Sequence, residues 1–280
     1  MSRKQRALQE SLTAVRERLI EMPRPLEQLS ESGIERKRCI SRVMTYVLKY
    51  LTGEFVNNGF EWLLPVIFSK STDPLWPDPG ASIEKRIEVE IYGKTVRPML
   101  SMIVHKMVAC SLAYPKLFIL SPNVRIEKVE RANSGVHAYE FTQLDFEIRD
   151  GTFKEIRSLV EEVICGLISS LKRHRSEELR FLENSSRVPE RPFKVYDRKE
   201  VESRYGANWE ARLTFVSRGP VWIRNIPREF YDFEDFEKGE WDNYDLLLPG
   251  FGEVLSGGRR EREYSKIITK MERDGVRKEN

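Results

Sequence analysis

Residues 121–150 read SPNVRIEKVERANSGVHAYEFTQLDFEIRD. The pattern predicts two β-strands, NVRIEKVE and HAYEFTQLDFEI, joined by a polar loop with Asn133-Ser134-Gly135 as its turn. Side chains alternate between the two faces of a strand, and the second strand sorts cleanly. Leu144, Phe146 and Ile148 share one face; Phe141, Gln143, Asp145 and Glu147 share the other. In the first strand Val124 and Ile126 are the apolar partners, while Asn123, Arg125 and Glu127 look the opposite way. One face is an ordinary core. The other carries Arg, Glu, Gln, Asp and one aromatic ring. Solvation is the usual reason for a polar sheet face, but solvated faces are rich in Lys, Thr and Ser, and here Lys128 is the only lysine.

Outward from this hairpin, apolar spacing marks helices. Leu8, Leu12, Val15 and Leu19 predict an amphipathic helix over 3–22, ended by Pro23-Arg24-Pro25. Residues 1–25 therefore read as a helix with its linker, and 26–280 as one larger domain. Ile40, Val43, Val47, Leu51 and Phe55 predict a helix over 34–58, followed by a strand over 60–68 whose Pro65 favours a sheet edge. Residues 71–86, rich in Pro, Asp and Gly, read as a surface loop or as a lid over a ligand pocket. Further helices are predicted over 97–112 and 153–173, loops and short helices over 174–217, and strands over 221–226, 244–248 and 251–255. The chain carries neither G-x-G-x-x-G nor G-x-x-x-x-G-K-[ST]. An α+β fold, an antiparallel sheet with helices to one side, is the expectation.

Composition narrows the class. A net charge of +3 is too small to argue for a nucleic-acid partner by itself. Cys39, Cys110 and Cys165 are scattered and odd in number, which predicts buried free thiols rather than a zinc or redox pair. No apolar run is long enough to span a bilayer and no signal peptide is recognised, so a soluble, cytoplasmic protein is expected.

The hairpin also carries a family resemblance. Arg125-Ile126-Glu127, His137 and then Glu140-Phe141-Thr142-Gln143-Leu144-Asp145 resemble motif 2 of the class II aminoacyl-tRNA synthetases. The aspartyl/asparaginyl branch is the most similar, and within its reach the archaeal asparagine synthetase related to it. STDPLWPDP at 71–79, EVEIYG at 88–93 and NIPREFYD at 225–232 belong to the same likeness. The resemblance implies a synthetase-like antiparallel β-sheet flanked by helices, with ATP and Mg²⁺ as cofactors. It puts Arg125 on the α-phosphate, Glu127 on the adenine side, His137 on the terminal phosphates and Phe141 stacked on adenine. Asp145 would hold the substrate ammonium, with Gln143 beside it. Ser101 and Lys106 match an amino-acid-binding stretch, although Leu100 and Ile103 stand where the family has glutamines.

The second half of the implied site lies at 245–260. Asp245 and Glu253 fall in successive strands, and hard carboxylate oxygens are what a Mg²⁺–triphosphate needs. The resemblance makes them metal ligands, with Ser256 as a further contact to ion or substrate. Gly257-Gly258 would let the backbone approach a ligand closely. Arg260 matches the arginine that pairs with an aspartate side chain, a task suited to a guanidinium fork. Read alone, GGRRERE is an ordinary charged helix start. The segment 34–68 resembles the interface motif and implies a homodimer. Nothing resembling G-x-G-x-x-R follows Arg260, so motif 3 is expected to be missing and turnover to be slow. The implied reaction adenylates aspartate and lets ammonia attack, releasing asparagine, AMP and pyrophosphate. Two alternatives stand beside it: an aspartate/ATP-binding paralogue deficient in turnover, and an aspartyl/asparaginyl-tRNA ligase working with a separate tRNA-binding partner. No anticodon-binding barrel is recognised, so tRNA is not expected as a partner of this chain.

Overall fold

A computed structural model of the chain describes residues 30–70, 83–85, 87–129 and 137–276. The helix expected over 3–22, most of the 71–86 loop and the Asn133-Ser134-Gly135 turn lie outside the described residues.

The first half contains α1 (Glu31–Asn57), β1 (Glu61–Trp62), β2 (Phe68–Ser69), β3 (Ile83–Lys85), β4 (Val89–Ile91) and β5 (Lys94–Pro98). There follow α2 (Ile103–Leu112), β6 (Lys116–Val124), β7 (Ile126–Glu127), β8 (Glu140–Ile148) and α3 (Phe153–His174). The second half runs α4 (Ser176–Phe181), β9 (Lys194–Asp197), α5 (Arg198–Tyr205), α6 (Trp209–Val216), β10 (Val221–Arg224), β11 (Glu234–Asp235) and β12 (Glu240–Trp241). It ends with β13 (Asn243–Leu248), β14 (Gly252–Gly258) and α7 (Tyr264–Arg273). The expected strand over 60–68 is thus only two short pieces, and the helix expected over 97–112 begins at Ile103, with residues 97–98 ending β5 instead. Tyr92-Gly93, with φ of 51° and 68°, closes the β4–β5 hairpin as a left-handed two-residue turn.

Two sheets form the centre. One has the order β1-β6-β8 and the other β14-β13-β10-β9. The expected antiparallel pattern holds for β6/β8, β10/β13 and β13/β14. The outer pairs β1/β6 and β9/β10 are parallel. β8 and β14 end their respective sheets, and both line a cavity of about 1450 Å³.

Alternation along β6 explains the layering. Phe118 packs with Phe55 of α1 and Phe60 on one face, joined by Leu144, Phe146 and Ile148 of β8. Leu117 and Ile119 point the other way, into a cluster with Met99, Met102 and Cys110 of α2. Helices therefore cover both faces of this sheet, not one side as expected, because both sets of β6 side chains are apolar and need partners. α3 ties the sheets together: Ile156 and Val160 pack on Trp222, Tyr244 and Leu246 while touching Phe146, Ile148 and Leu255. The Thr152–Glu155 capping box starts this helix, and exposed His174 ends it as expected. Glu161 is buried within α3, accepts from the Trp222 indole at 3.0 Å and from Arg157 at 2.8 Å, and so leaves no buried charge unpaired. Cys39 and Cys110 are buried free thiols as expected, whereas Cys165 is only partly covered.

Candidate functional site

The β6–β8 ladder fixes the register of the polar face: Asn123 opposes Phe141, Ser121 opposes Gln143, and Ile119 opposes Asp145. Asn123 is fully buried and donates to Gln143 Oε1 at 2.9 Å, which holds that amide in place. Lys106 reaches the same face from α2. Its ammonium lies 3.4 Å from Asp145 and 3.6 Å from Glu147, with its stem buried. Asp145 Oδ2 and Glu147 Oε2 are buried and find no hydrogen-bond partner among the described residues. Unsatisfied carboxylate oxygens in a cavity wall are costly unless something binds there.

Arg260 closes the other end of this row. It donates from Nε to Glu147 at 3.2 Å and from Nη1 to Asp232 at 2.6 Å. Burial disfavours its charge, yet Glu147 and Asp232 together hold it above the usual arginine range. Lys106, Gln143, Asp145, Glu147, Ser256 and Arg260 all line the 1450 Å³ cavity. Charge along the row alternates: Asp145, Lys106, Glu147, Arg260, Asp232.

The loop after β10 places Asp232 and Arg228. Asn225 takes a left-handed φ of 64°, tolerated by asparagine, and its side chain donates to Asp197 and accepts from the Trp241 backbone. Asn243, fully buried, clamps both backbone groups of Ile226 and donates to Asp232 Oδ2 at 3.3 Å. Lys270 of α7, also fully buried, donates to the Asp232 carbonyl and to Glu261 at 3.2 Å. The turn is therefore rigid where it meets the site.

Arg228 follows directly. Its Nη2 donates to both oxygens of Asp245 and lies 3.8 Å from Glu253. Ser256, the ladder partner of Asp245, hydrogen-bonds the same carboxylate. Burial pushes the Asp245 carboxyl up to about 7, with Arg228 opposing and the Glu253 charge adding. Glu253 is raised by burial too, again against Arg228. Asp245, Glu253 and Arg228 share a second cavity of about 840 Å³ with Glu210, Glu229 and Glu234.

A third group sits at the far end of the hairpin. Arg125 donates from Nε to the Leu100 carbonyl at 2.8 Å, and its guanidinium lies 5.1 Å above the Phe141 ring. Glu127 pairs with Ile83 of β3, and its Oε2 is buried without a partner among the described residues. His137 is exposed beside the undescribed 130–136 segment. Ser101 accepts from the Ile103 backbone at 3.2 Å, at the start of α2. Most of the residues expected from the sequence thus fall into three groups: the charge row, the Asp245/Glu253 pair and the Arg125/Phe141 stack.

Sequence reasoning overlooked Arg228, Asp232 and Glu147. The first two lie inside NIPREFYD, and Glu147 lies on the polar face of β8, so each was visible as a residue but not as a contact. Gly257 and Gly258 line the cavity and also have a role inside the protein. A Cβ on Gly257 would lie 2.9 Å from the Tyr244 ring, and one on Gly258 would lie 2.7 Å from Asn243 Cβ and 2.8 Å from Asp232. These glycines make room for the protein's own side chains.

Known proteins share this fold. The asparaginyl-tRNA synthetase from Pyrococcus horikoshii, complexed with asparaginyl-adenylate, superposes with a TM-score of 0.75 at 19% identity, over 93% of this chain and 64% of that one. The aspartyl tRNA synthetase from Entamoeba histolytica gives a TM-score of 0.64 at 16% identity, over 96% of this chain and 59% of that one. At such identities the likeness shows the fold alone. An Asparagine–tRNA ligase of Ureaplasma urealyticum is 24% identical over 260 residues, covering 80% of this chain and 56% of that protein. That of Malacoplasma penetrans is also 24% identical, covering 90% and 65%. The chain spans between about half and two thirds of the length of these relatives. The family model described as tRNA synthetases class II (D, K and N) matches residues 89–280, more than half of the chain. With its sheet, its hairpin and its charge row in place, the chain belongs to the class II tRNA synthetases of the D, K and N group.

Proposed function

We propose that this chain activates asparagine or aspartate with ATP, forming an aminoacyl-adenylate and pyrophosphate, as the activating core of an aminoacyl-tRNA ligase. The observation that carries the reading is the alternating charge row along one cavity, next to the Asp245/Glu253 pair. Asp145 has one buried oxygen with no hydrogen-bond partner among the described residues and suits the substrate ammonium. Arg260 presents donors but is already neutralised by Glu147 and Asp232. A side-chain amide, which both accepts and donates, suits such a pair better than a second carboxylate would. This favours asparagine.

In the chemical step an oxygen of the amino acid's carboxylate attacks the α-phosphorus and pyrophosphate leaves. Arg125 is held by the Leu100 carbonyl and by Phe141, which keeps a cation oriented before the phosphate arrives. One preorganised group of this kind can contribute about 10²–10³ in rate. Phe141 offers a ring for adenine. Asp245 and Glu253 supply two hard oxygens and already attract a cation, Arg228, so the donor set fits Mg²⁺, which takes one or two carboxylates and fills its shell with phosphates and water. Its chemistry there is neutralisation of the triphosphate charge. The relatives' names speak of tRNA ligation, so this reading takes tRNA as the acceptor, replacing the tRNA-free expectation.

A second reading, ammonia-dependent asparagine formation from aspartate, draws support from buried, apolar Leu100 and Ile103 at the places of the family's glutamines. Pyrophosphate exchange into ATP tests the first reading: asparagine is expected to drive it more strongly than aspartate, and exchange with neither overturns it. AMP and asparagine produced from aspartate only when ammonium is present would favour the second.

A further inference from the structure

Arg228 is the cationic partner of the buried Asp245 carboxylate. Its Nη2 alone serves Asp245, with Glu253 3.8 Å away, while its Nε is buried and finds no partner among the described residues. A guanidinium used as a structural staple spends several of its donors in a planar fork. This one behaves as a point charge between two carboxylates. These carboxylates are the same two assigned above to the divalent cation, so ion and guanidinium compete for one seat. Room for the side chain elsewhere exists: the 840 Å³ cavity around Arg228 is walled by Glu210, Glu229, Glu234 and Asp274. Pro227 and the Asn243 clamp on Ile226 fix the backbone, so the exchange falls to the side chain.

We propose that Arg228 is a tethered counter-ion: it neutralises Asp245 and Glu253 while nucleotide is absent and yields their seat to the divalent cation that arrives with the triphosphate. The inference rests on the reading of this pair as the metal seat. Its consequence is an order of binding. The free protein holds a divalent ion poorly, because the seat is open only in the fraction of molecules whose Arg228 has swung out. A triphosphate changes the balance by bringing further metal ligands and an anion for the displaced guanidinium.

Water-proton relaxation by Mn²⁺ reads protein-bound ion without turnover. The free protein is expected to bind Mn²⁺ weakly, and a non-hydrolysable ATP analogue to raise its affinity at least about tenfold. Arg228→Met should raise the affinity of the nucleotide-free protein by a similar factor. Adding Glu253→Gln should remove that gain, and Arg228→Lys, which keeps the charge, should stay close to the unsubstituted protein. If Arg228→Met binds Mn²⁺ no better while the analogue still recruits the ion, the seat is real and the counter-ion role is overturned. If neither protein binds Mn²⁺ even with the analogue, the metal-seat reading fails and takes the inference with it. Should Arg228→Met not fold, equal Mn²⁺ affinity of the unsubstituted protein with and without the analogue overturns the proposal by itself.

Discussion

Asp232 is buried and depends on three neighbours: Arg260, Asn243 and the space left by Gly258. Arg260→Ala removes the cation shared by Asp232 and Glu147, leaving them Asn243 and Lys106 respectively, and breaking such a buried pair from one side costs up to about 3–5 kcal/mol of stability. Adding Asp232→Asn should recover part of that loss, which urea unfolding of the single and double variants measures. Equal costs with and without Asp232→Asn would show that the pair is not coupled. Gly258→Ala is expected to destabilise by about 1–3 kcal/mol through overpacking against Asn243 and Asp232. It should also weaken asparagine binding, read by calorimetry, because it moves the carboxylate that orients Arg260. At this scale the sequence was partly legible. Gln143 and Asp145 fall on one face of β8 as the alternation implied, since a period of two sorts faces without help from the rest of the chain, whereas the Lys106–Asp145 contact is tertiary and no strand pattern encodes it. Arg228 to Asp245, or Arg260 to Glu147, spans 17 and 113 residues, and no local pattern encodes a contact at that separation.

α3 shows what sequence does dictate at the level of one element. Thr152 and Glu155 cap each other's backbone, and Ile156, Val160 and Val163 follow at helical spacing into the core. Thr152→Ala should lower the melting temperature by about 2–4 °C, measured by circular dichroism. The two hydrogen bonds from Thr152 hold the Glu155 carboxyl below its ordinary value of 4.5. Its stabilisation is complete above that value and disappears as pH falls through the lower folded-state one, so the deficit of Thr152→Ala should shrink on acidification. Close packing adds a second test. A Cβ on Gly166 would lie 2.3 Å from the Tyr50 hydroxyl of α1. Gly166→Ala should bring no net gain in the intact protein. Beside Tyr50→Phe it should stabilise by about 0.5–1 kcal/mol, the helix preference of alanine once the clash is gone. Long helices were readable because their stripe repeats many times. β1 and β2 were not, since Pro65 and tertiary pairing cut the expected strand into two-residue pieces.

At the scale of the whole molecule, apolar surface is left over. Ile40, Met44 and Leu48 recur every four residues along α1 and are 44%, 52% and 41% exposed, while Cys39 and Phe55 of the same helix are buried. Leu64, Ile67 and Phe68 in the following segment are exposed as well, Leu64 to 86%. A soluble chain rarely leaves so much apolar surface in one stretch uncovered. The same stretch, 34–68, is the one whose resemblance implies an interface between copies, so a second copy of this chain is the occupant to expect. A stable pair buries about 1,200–2,000 Å² in total, more than one helix stripe supplies, which requires the 60–68 segment to join α1 in the contact. Light scattering at micromolar concentration should therefore return twice the 32.9 kDa of the single chain. Met44→Asp together with Leu64→Asp should return the single-chain mass with the circular dichroism spectrum unchanged, because both side chains are exposed and burying a carboxylate at the contact is costly. A single-chain mass for the unsubstituted protein would mean that these side chains face water or another partner, and that the likeness at 34–68 concerns the fold and not the assembly.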